Sequence, residues 1–244
     1  MATSEKASRE KKDTSKVHKL SLKGSAKLVA EFFQYSIHSI LYQRGVYPAE
    51  DFTVVKKYGL NMLVSSDDQV KSYIKRIMAA LDRWMKEGKI SKLVIVITNK
   101  DTSEHLERWQ FDINITAPTK TKSKSKSSSK SSTDPSSAST SAPEDQENAA
   151  SDKRASPEKT ESEIQAEIAA IFRQITASVT FLPQLDAGEC TFNVLVYADA
   201  DSDVPVEWGD SDGKEIVGGE RVQLRGFSTA YHNIGTTVDY RGDF

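Results

Sequence analysis

RWQFDINI, residues 108–115, alternates without a break. Trp109, Phe111, Ile113 and Ile115 fall on one side of an extended chain, and Arg108, Gln110, Asp112 and Asn114 on the other. Successive side chains of a strand point to opposite faces, so the stretch predicts a half-buried antiparallel strand. Just upstream, KLVIVIT (92–98) is instead a continuous β-branched run, the mark of a strand covered on both faces.

Outward from these strands the apolar period becomes helical. LKGSAKLVAEFFQYSIHSILYQRG (22–45) places Leu28, Val29, Phe32, Phe33, Ile37, Ile40 and Leu41 on a wide stripe and stops at Gly45. SSDDQVKSYIKRIMAALDRWMKEG (65–88) opens with Ser66-x-x-Gln69, a capping-box spacing, and stops at Gly88. Between them Val70, Tyr73, Ile74, Ile77, Met78, Leu81, Trp84 and Met85 recur at helical intervals. Downstream, Ile164, Ile168, Ile171, Phe172, Ile175 and Val179 share the stripe of a third helix, with Pro183 just past its end. CTFNVLVYA (190–198) reads as a strand with Phe192, Val194 and Val196 on one face. RVQLRGFSTAYHNI (221–234) holds at least one more, and TTVDY (236–240) reads as a short last one.

Two stretches have no such pattern. Residues 1–17 are charged and small and read as a disordered tail. Residues 117–160, including TKTKSKSKSSSKSSTDPSSASTSAP (119–143), hold almost no large apolar side chains and cannot offset the entropy of ordering. Without them about 180 residues remain, the size of one domain. Neither patterned block is self-sufficient, because each amphipathic face needs partners from the other. The expectation is therefore one α+β domain over 18–240, a mixed sheet on three helices, with 117–160 as a disordered insert. The insert's random-coil span is on the order of 35 Å, so it can close a strand-to-helix connection without strain.

Composition narrows the function classes. Thirty-three Lys and Arg stand against 35 Asp and Glu, a net charge of −2, which gives no global reason to bind nucleic acid or an anionic membrane. The Ser/Lys run has lysines but no interleaved aromatics, which single-strand binding requires, so nucleic acid is not expected as a partner. The start has no apolar signal region and no run approaches the ~20 residues of a membrane span. The reading is a soluble intracellular protein of nucleus or cytosol.

Catalytic and metal chemistry find little support. His18, His38, His105 and His232 are scattered, with His38 read as a partly exposed helix position. Phosphate-loop, dinucleotide, zinc and nucleophile-elbow motifs are missing, and no cofactor is implied. The single cysteine, Cys190, opens a strand with no base beside it and reads as a buried structural thiol. DADSDVPVEWGD (199–210) imitates a calcium loop through Asp199, Asp201, Asp203 and Asp210. Position six is Val204 where a sharp turn needs Gly, so a solvated acidic turn is expected.

Four separated blocks in one order carry a more specific signal: GSAKLVAEFFQYSIHSILYQRGVYPAEDF, KKYGLNMLV, LERWQFDI and RQITASVTFLP. Together they resemble the HORMA domain family from about Leu20 to Tyr240, and within it the spindle-checkpoint branch. That resemblance implies a binding protein and conformational switch, not an enzyme. It implies that residues 200–244 form a mobile segment called the safety belt. In an open state the belt occupies a sheet edge; in a closed state it moves and traps a partner peptide as an added strand, the mode known as β-augmentation. Trp208, Val238 and Tyr240 match apolar positions of the belt. Arg173, Gln174 and Phe181 match positions where the third helix mediates dimerisation of an open with a closed conformer. The implied partners are a coiled-coil kinetochore scaffold and the activator of the anaphase-promoting complex, whose sequestration delays anaphase. The implied location is nucleus and kinetochore, and also cytoplasm. The alternative within the family is an adaptor in translesion DNA repair or meiotic chromosome axes. The insert is the main departure from the family pattern.

Overall fold

The computed structural model describes residues 20–116 and 159–242. The expected tail, His18 and the expected insert up to residue 158 lie outside the described residues. Among the described residues there are three α-helices: α1 (Leu22–Gln43), α2 (Asp68–Glu87) and α3 (Glu161–Ala177). Seven strands accompany them: β1 (Phe52–Lys57), β2 (Leu60–Ser65), β3 (Ile90–Asn99), β4 (His105–Ile115), β5 (Cys190–Ala198), β6 (Glu220–Ser228) and β7 (His232–Tyr240). The main sheet has the order β5-β3-β4-β7-β6, and β1 and β2 form a separate hairpin. Every ladder is antiparallel. The sheet therefore draws its strands from both sides of the unpatterned run.

RWQFDINI is the middle strand of that sheet. Its apolar side chains Trp109, Phe111 and Ile113 are buried, and the Phe111 ring meets Phe32 of α1 edge-on at 5.7 Å and Phe33 at 5.6 Å. Buried α1 thus forms the axis of the core, with α2, α3 and the β1–β2 hairpin around it. β3 is covered on both faces as its sequence predicts: Leu93, Ile95 and Ile97 join the helical core, and Val94 and Val96 on the other face are equally inaccessible.

Local chemistry sets the helix boundaries. α1 starts at Ser21, whose hydroxyl accepts from the Gly24 N–H at 3.1 Å. α2 is capped one residue later than its sequence suggests. Asp67, not Ser66, accepts from Val70 N–H at 2.8 Å, while the Ser66 hydroxyl donates to the Asp51 carbonyl. A carboxylate at the N-cap also complements the helix dipole, which favours this frame. Gly88 ends α2 in the left-handed conformation, φ 74°. The capping box occurs instead on α3, between Thr160 and Glu163.

Three further readings are corrected. His38 is not partly exposed but buried, because its Nδ1 accepts the Ser65 N–H at 3.3 Å where α1 meets β2. Val179 lies in a 3-10 turn after α3, not on its stripe, and is exposed. The last strand is not the short TTVDY: β7 runs through HNI as well, because β4 offers it a full-length partner from Ile115↔His232 to Glu107↔Tyr240.

Candidate functional site

β5 is an edge strand. One side pairs with β3 from Asn99↔Cys190 to Ile90↔Ala198, and among the described residues no strand pairs with the other. Unpaired backbone groups on such an edge are a template for an added strand, unless something covers them. The chain that follows β5 loops around this edge without forming a strand on it. β6 lies at the opposite edge, so residues 199–219 must travel the width of the sheet.

They begin on the side of the helices. Asp199 N–H donates to the Lys89 carbonyl at 2.8 Å. The Asp203 carbonyl accepts from Trp84 Nε1 at 3.1 Å and from Arg83 at 2.9 Å, and its carboxylate pairs with Arg83 at 3.1 Å. Trp208 then meets Trp84 edge-on, ring centroids 5.3 Å apart. A few residues later the chain is on the other face of the sheet. Arg108, which alternates with the core-facing Trp109, donates from Nε to the Gly213 carbonyl at 3.0 Å. Between Trp208 and Gly213 the chain therefore passes from one face to the other alongside β5, forming a hoop around its free edge.

Inside the hoop is an open cavity of about 530 Å³, with Tyr73, Arg76, Ala80, Val194, Pro205 and Trp208 among its lining residues. A second recess farther along the same edge is lined by Tyr47, Asp67, Tyr73, Phe192 and Asn193. Tyr73 lines both. Burial raises the pKa of its hydroxyl, and the Val194 backbone opposes that rise. Apolar walls flanking a free strand edge suit side chains of an extended peptide whose main chain pairs with that edge.

The acidic turn does not gather its carboxylates: Asp203 pairs with Arg83, and Asp201 with Lys89 at 3.5 Å. Among the described residues no group of His, Cys, Asp and Glu is arranged to hold a metal, and no helix is long and apolar enough to cross a membrane. Cys190 is buried, and burial raises its thiol pKa.

The family model described as HORMA domain matches residues 25–232. The chain belongs to the HORMA domain family. It is 49% identical over 221 residues to the mitotic spindle checkpoint component mad2 of Schizosaccharomyces pombe, covering 91% of this chain and 94% of that protein. A chain in a crystal structure of the mitotic checkpoint complex is 47% identical, with a TM-score of 0.69, covering 90% of this chain and all of that one. C. elegans HTP-2 bound to an HTP-3 closure motif shares the fold, with a TM-score of 0.66 at 14% identity, over 92% of this chain and 89% of that one.

The HORMA positions singled out in the sequence fall into two places. Trp208 is half-buried in the hoop against Trp84. Val238 and Tyr240 are on β7, away from it. Val238 is fully buried in register with Trp109 and Val222, and Tyr240 donates to Glu220 at 2.5 Å. The three expected belt residues do not form one cluster; they fix the two ends of the segment.

The α3 residues instead adjoin the belt. Arg173 is exposed. Its neighbour Gln174 accepts from the Arg225 N–H of β6 at 2.7 Å, and the Phe181 ring meets Tyr240 at 6.2 Å. Sequence reasoning missed Trp84 as a belt contact, and it missed Arg108. On the alternating strand Arg108 belongs to the wet face, yet 1% of its side chain is exposed, because the hoop lies over it. No sequence signal reports a loop that arrives from a hundred residues away.

Proposed function

We infer that the protein is a spindle assembly checkpoint switch that holds a partner peptide as an added strand on β5, beneath the loop 199–219. The observation that carries this reading is the free β5 edge with its own chain looped around it. Main-chain hydrogen bonds to the edge would supply affinity, and the recesses around Tyr73 and Phe192 selectivity. Belt strand β7 pairs with β4 and β6 with β7, at the far side of the sheet from β5; this arrangement leaves β5 vacant and is read as the closed state of the family.

The proposed partners are a coiled-coil kinetochore scaffold and the activator of the anaphase-promoting complex, and sequestering the latter would delay anaphase. Arg173, Gln174 and Phe181 are proposed to join an open to a closed conformer, and the proposed location is nucleus and kinetochore, and also cytoplasm. Its action requires binding alone, not catalysis. The adaptor role in repair or meiosis is not favoured. The relative at 49% identity is a checkpoint component, and the likeness to HTP-2 at 14% extends to the fold alone. The test is calorimetric titration with the activator's peptide, in competition with closure motifs of repair and axis proteins. Tight binding of the checkpoint peptide is expected; absence of binding by both checkpoint peptides would falsify the reading.

A further inference from the structure

The loop 199–219 is fastened at each end by different chemistry. Before the crossing, Asp203 and Trp208 hold it to α2. After it, the strand pairing of β6 holds it to β7. In between, from residue 209 to 216, the side-chain hydrogen bonds and ion pairs of the loop itself stay within it, such as Lys214 with Asp212 at 2.7 Å. Among the described residues, the hydrogen bond that ties this crossing to the sheet is the one from Arg108 to Gly213.

Arg108 is built for that task. Nη1 donates to Gln110 at 2.6 Å and faces Asp239 of β7 at 3.5 Å, and Nη2 lies 3.5 Å from the Tyr197 hydroxyl of β5. Gln110 is held in turn by Asp112 at 2.8 Å, and Asp239 by Arg221 at 2.9 Å. The guanidinium is thus fixed by β4, β5 and β7, and its remaining Nε–H is aimed at the loop. Residue 213 meets it at close range: a Cβ there would lie 2.8 Å from the Tyr197 hydroxyl, so a larger residue would have to displace the Tyr197 side chain or move its own carbonyl away from Arg108.

We propose that Arg108 and Gly213 form the clasp of the hoop, with Arg108 a positioning residue that sets how long a captured peptide stays. The inference rests on the peptide-capture reading above. A peptide threaded between β5 and the hoop leaves only when the crossing lifts, and lifting it breaks the Arg108–Gly213 bond and strips a buried guanidinium of a partner. A hydrogen bond to a charged donor inside a desolvated site is among the more costly to lose. On the capture reading, the peptide is taken up from the open state, in which the belt occupies the sheet edge and the clasp is not formed, so the step acts on release more than on capture.

The experiment uses the full chain and a fluorescein-labelled copy of the activator's peptide. Release is followed after adding excess unlabelled peptide, and capture by mixing. Arg108→Gln and Gly213→Ala are each expected to speed release by about tenfold or more, with capture changed far less. The double variant is expected to release no faster than the quicker single variant, since both break one bond. Gly213→Ala leaves the pairing of Arg108 with Gln110 and Asp239 in place, so it remains informative if Arg108→Gln does not fold. Release at the wild-type rate from the Gly213→Ala variant, or fully additive effects, would overturn the clasp. Failure of the wild-type chain to hold the peptide at all would overturn the capture reading and the clasp with it.

Discussion

His38 and Glu107 are polar groups inside the core whose partners decide their chemistry. Burial lowers the His38 pKa from 6.5 to about 4, and its neutral ring accepts the Ser65 N–H. The unfolded chain takes up this proton first on acidification. Its contribution is therefore complete above pH 6.5 and is lost as pH falls toward 4, on the order of 3 kcal/mol in all. Burial shifts His232 in the same direction. His38→Gln keeps an acceptor for Ser65 without the titration, so its melting temperature should fall less between pH 6.5 and 4 than that of the wild type. Glu107 is pushed up by burial and held down by Arg44 and Trp109, which donate to it at 2.7 and 3.0 Å. Arg44 also donates to the Pro183 carbonyl, tying α1 to the turn after α3. Glu107→Ala strands that cation, and urea melts should show a loss of about 3–5 kcal/mol. Neither role is legible in the sequence, where His38 and Glu107 look like ordinary surface residues. The polar atom that satisfies each comes from a distant element.

At the scale of elements, legibility follows periodicity. All three helices and the strands β3, β4 and β5 have long apolar repeats, and their positions are evident from sequence. The β1–β2 hairpin is not, because its turn is Tyr58-Gly59, both with positive φ, 51° and 68°. Such turns are expected of Asn or Gly at the first position. Tyr58 holds the strained conformation through tertiary contacts: its ring stacks on Phe172 at 5.6 Å, and its hydroxyl donates to Glu31 at 2.8 Å. The break in β6 has a related cause. Between Leu224 and Phe227 the register with β7 shifts, and Gly226 sits where a Cβ would collide with the Ile234 carbonyl. Gly226→Ala must push β6 off β7 locally, at a cost of about 1–3 kcal/mol. Hydrogen exchange should show the loss as faster opening of β6 and β7, with β3 and β5 unchanged.

Across the whole molecule, the two candidate sites are parts of one arrangement of the belt. The free β5 edge exists because β7 lies on β4 and β6 on β7, at the other side of the sheet. The same placement puts Arg225 against Gln174 and Tyr240 against Phe181. The resemblance proposed residues for both sites but not this linkage, which arises only when the chain after β5 crosses to the far edge of the sheet. A surface made jointly by α3 and β6 can report where the belt is to any partner that touches both. Exposed Arg173 is available to such a partner, whereas Gln174 is already committed to β6. Their substitutions should therefore differ. Arg173→Ala should abolish self-association in sedimentation experiments without changing peptide capture. Gln174→Ala should weaken self-association and, by freeing the Arg225 N–H, also loosen the belt. Losing that neutral hydrogen bond costs about 1 kcal/mol, or roughly fivefold in the equilibrium between belt placements. Peptide affinity should thus fall in the Gln174 variant and stay level in the Arg173 variant, a contrast that two separate and unlinked sites would not produce.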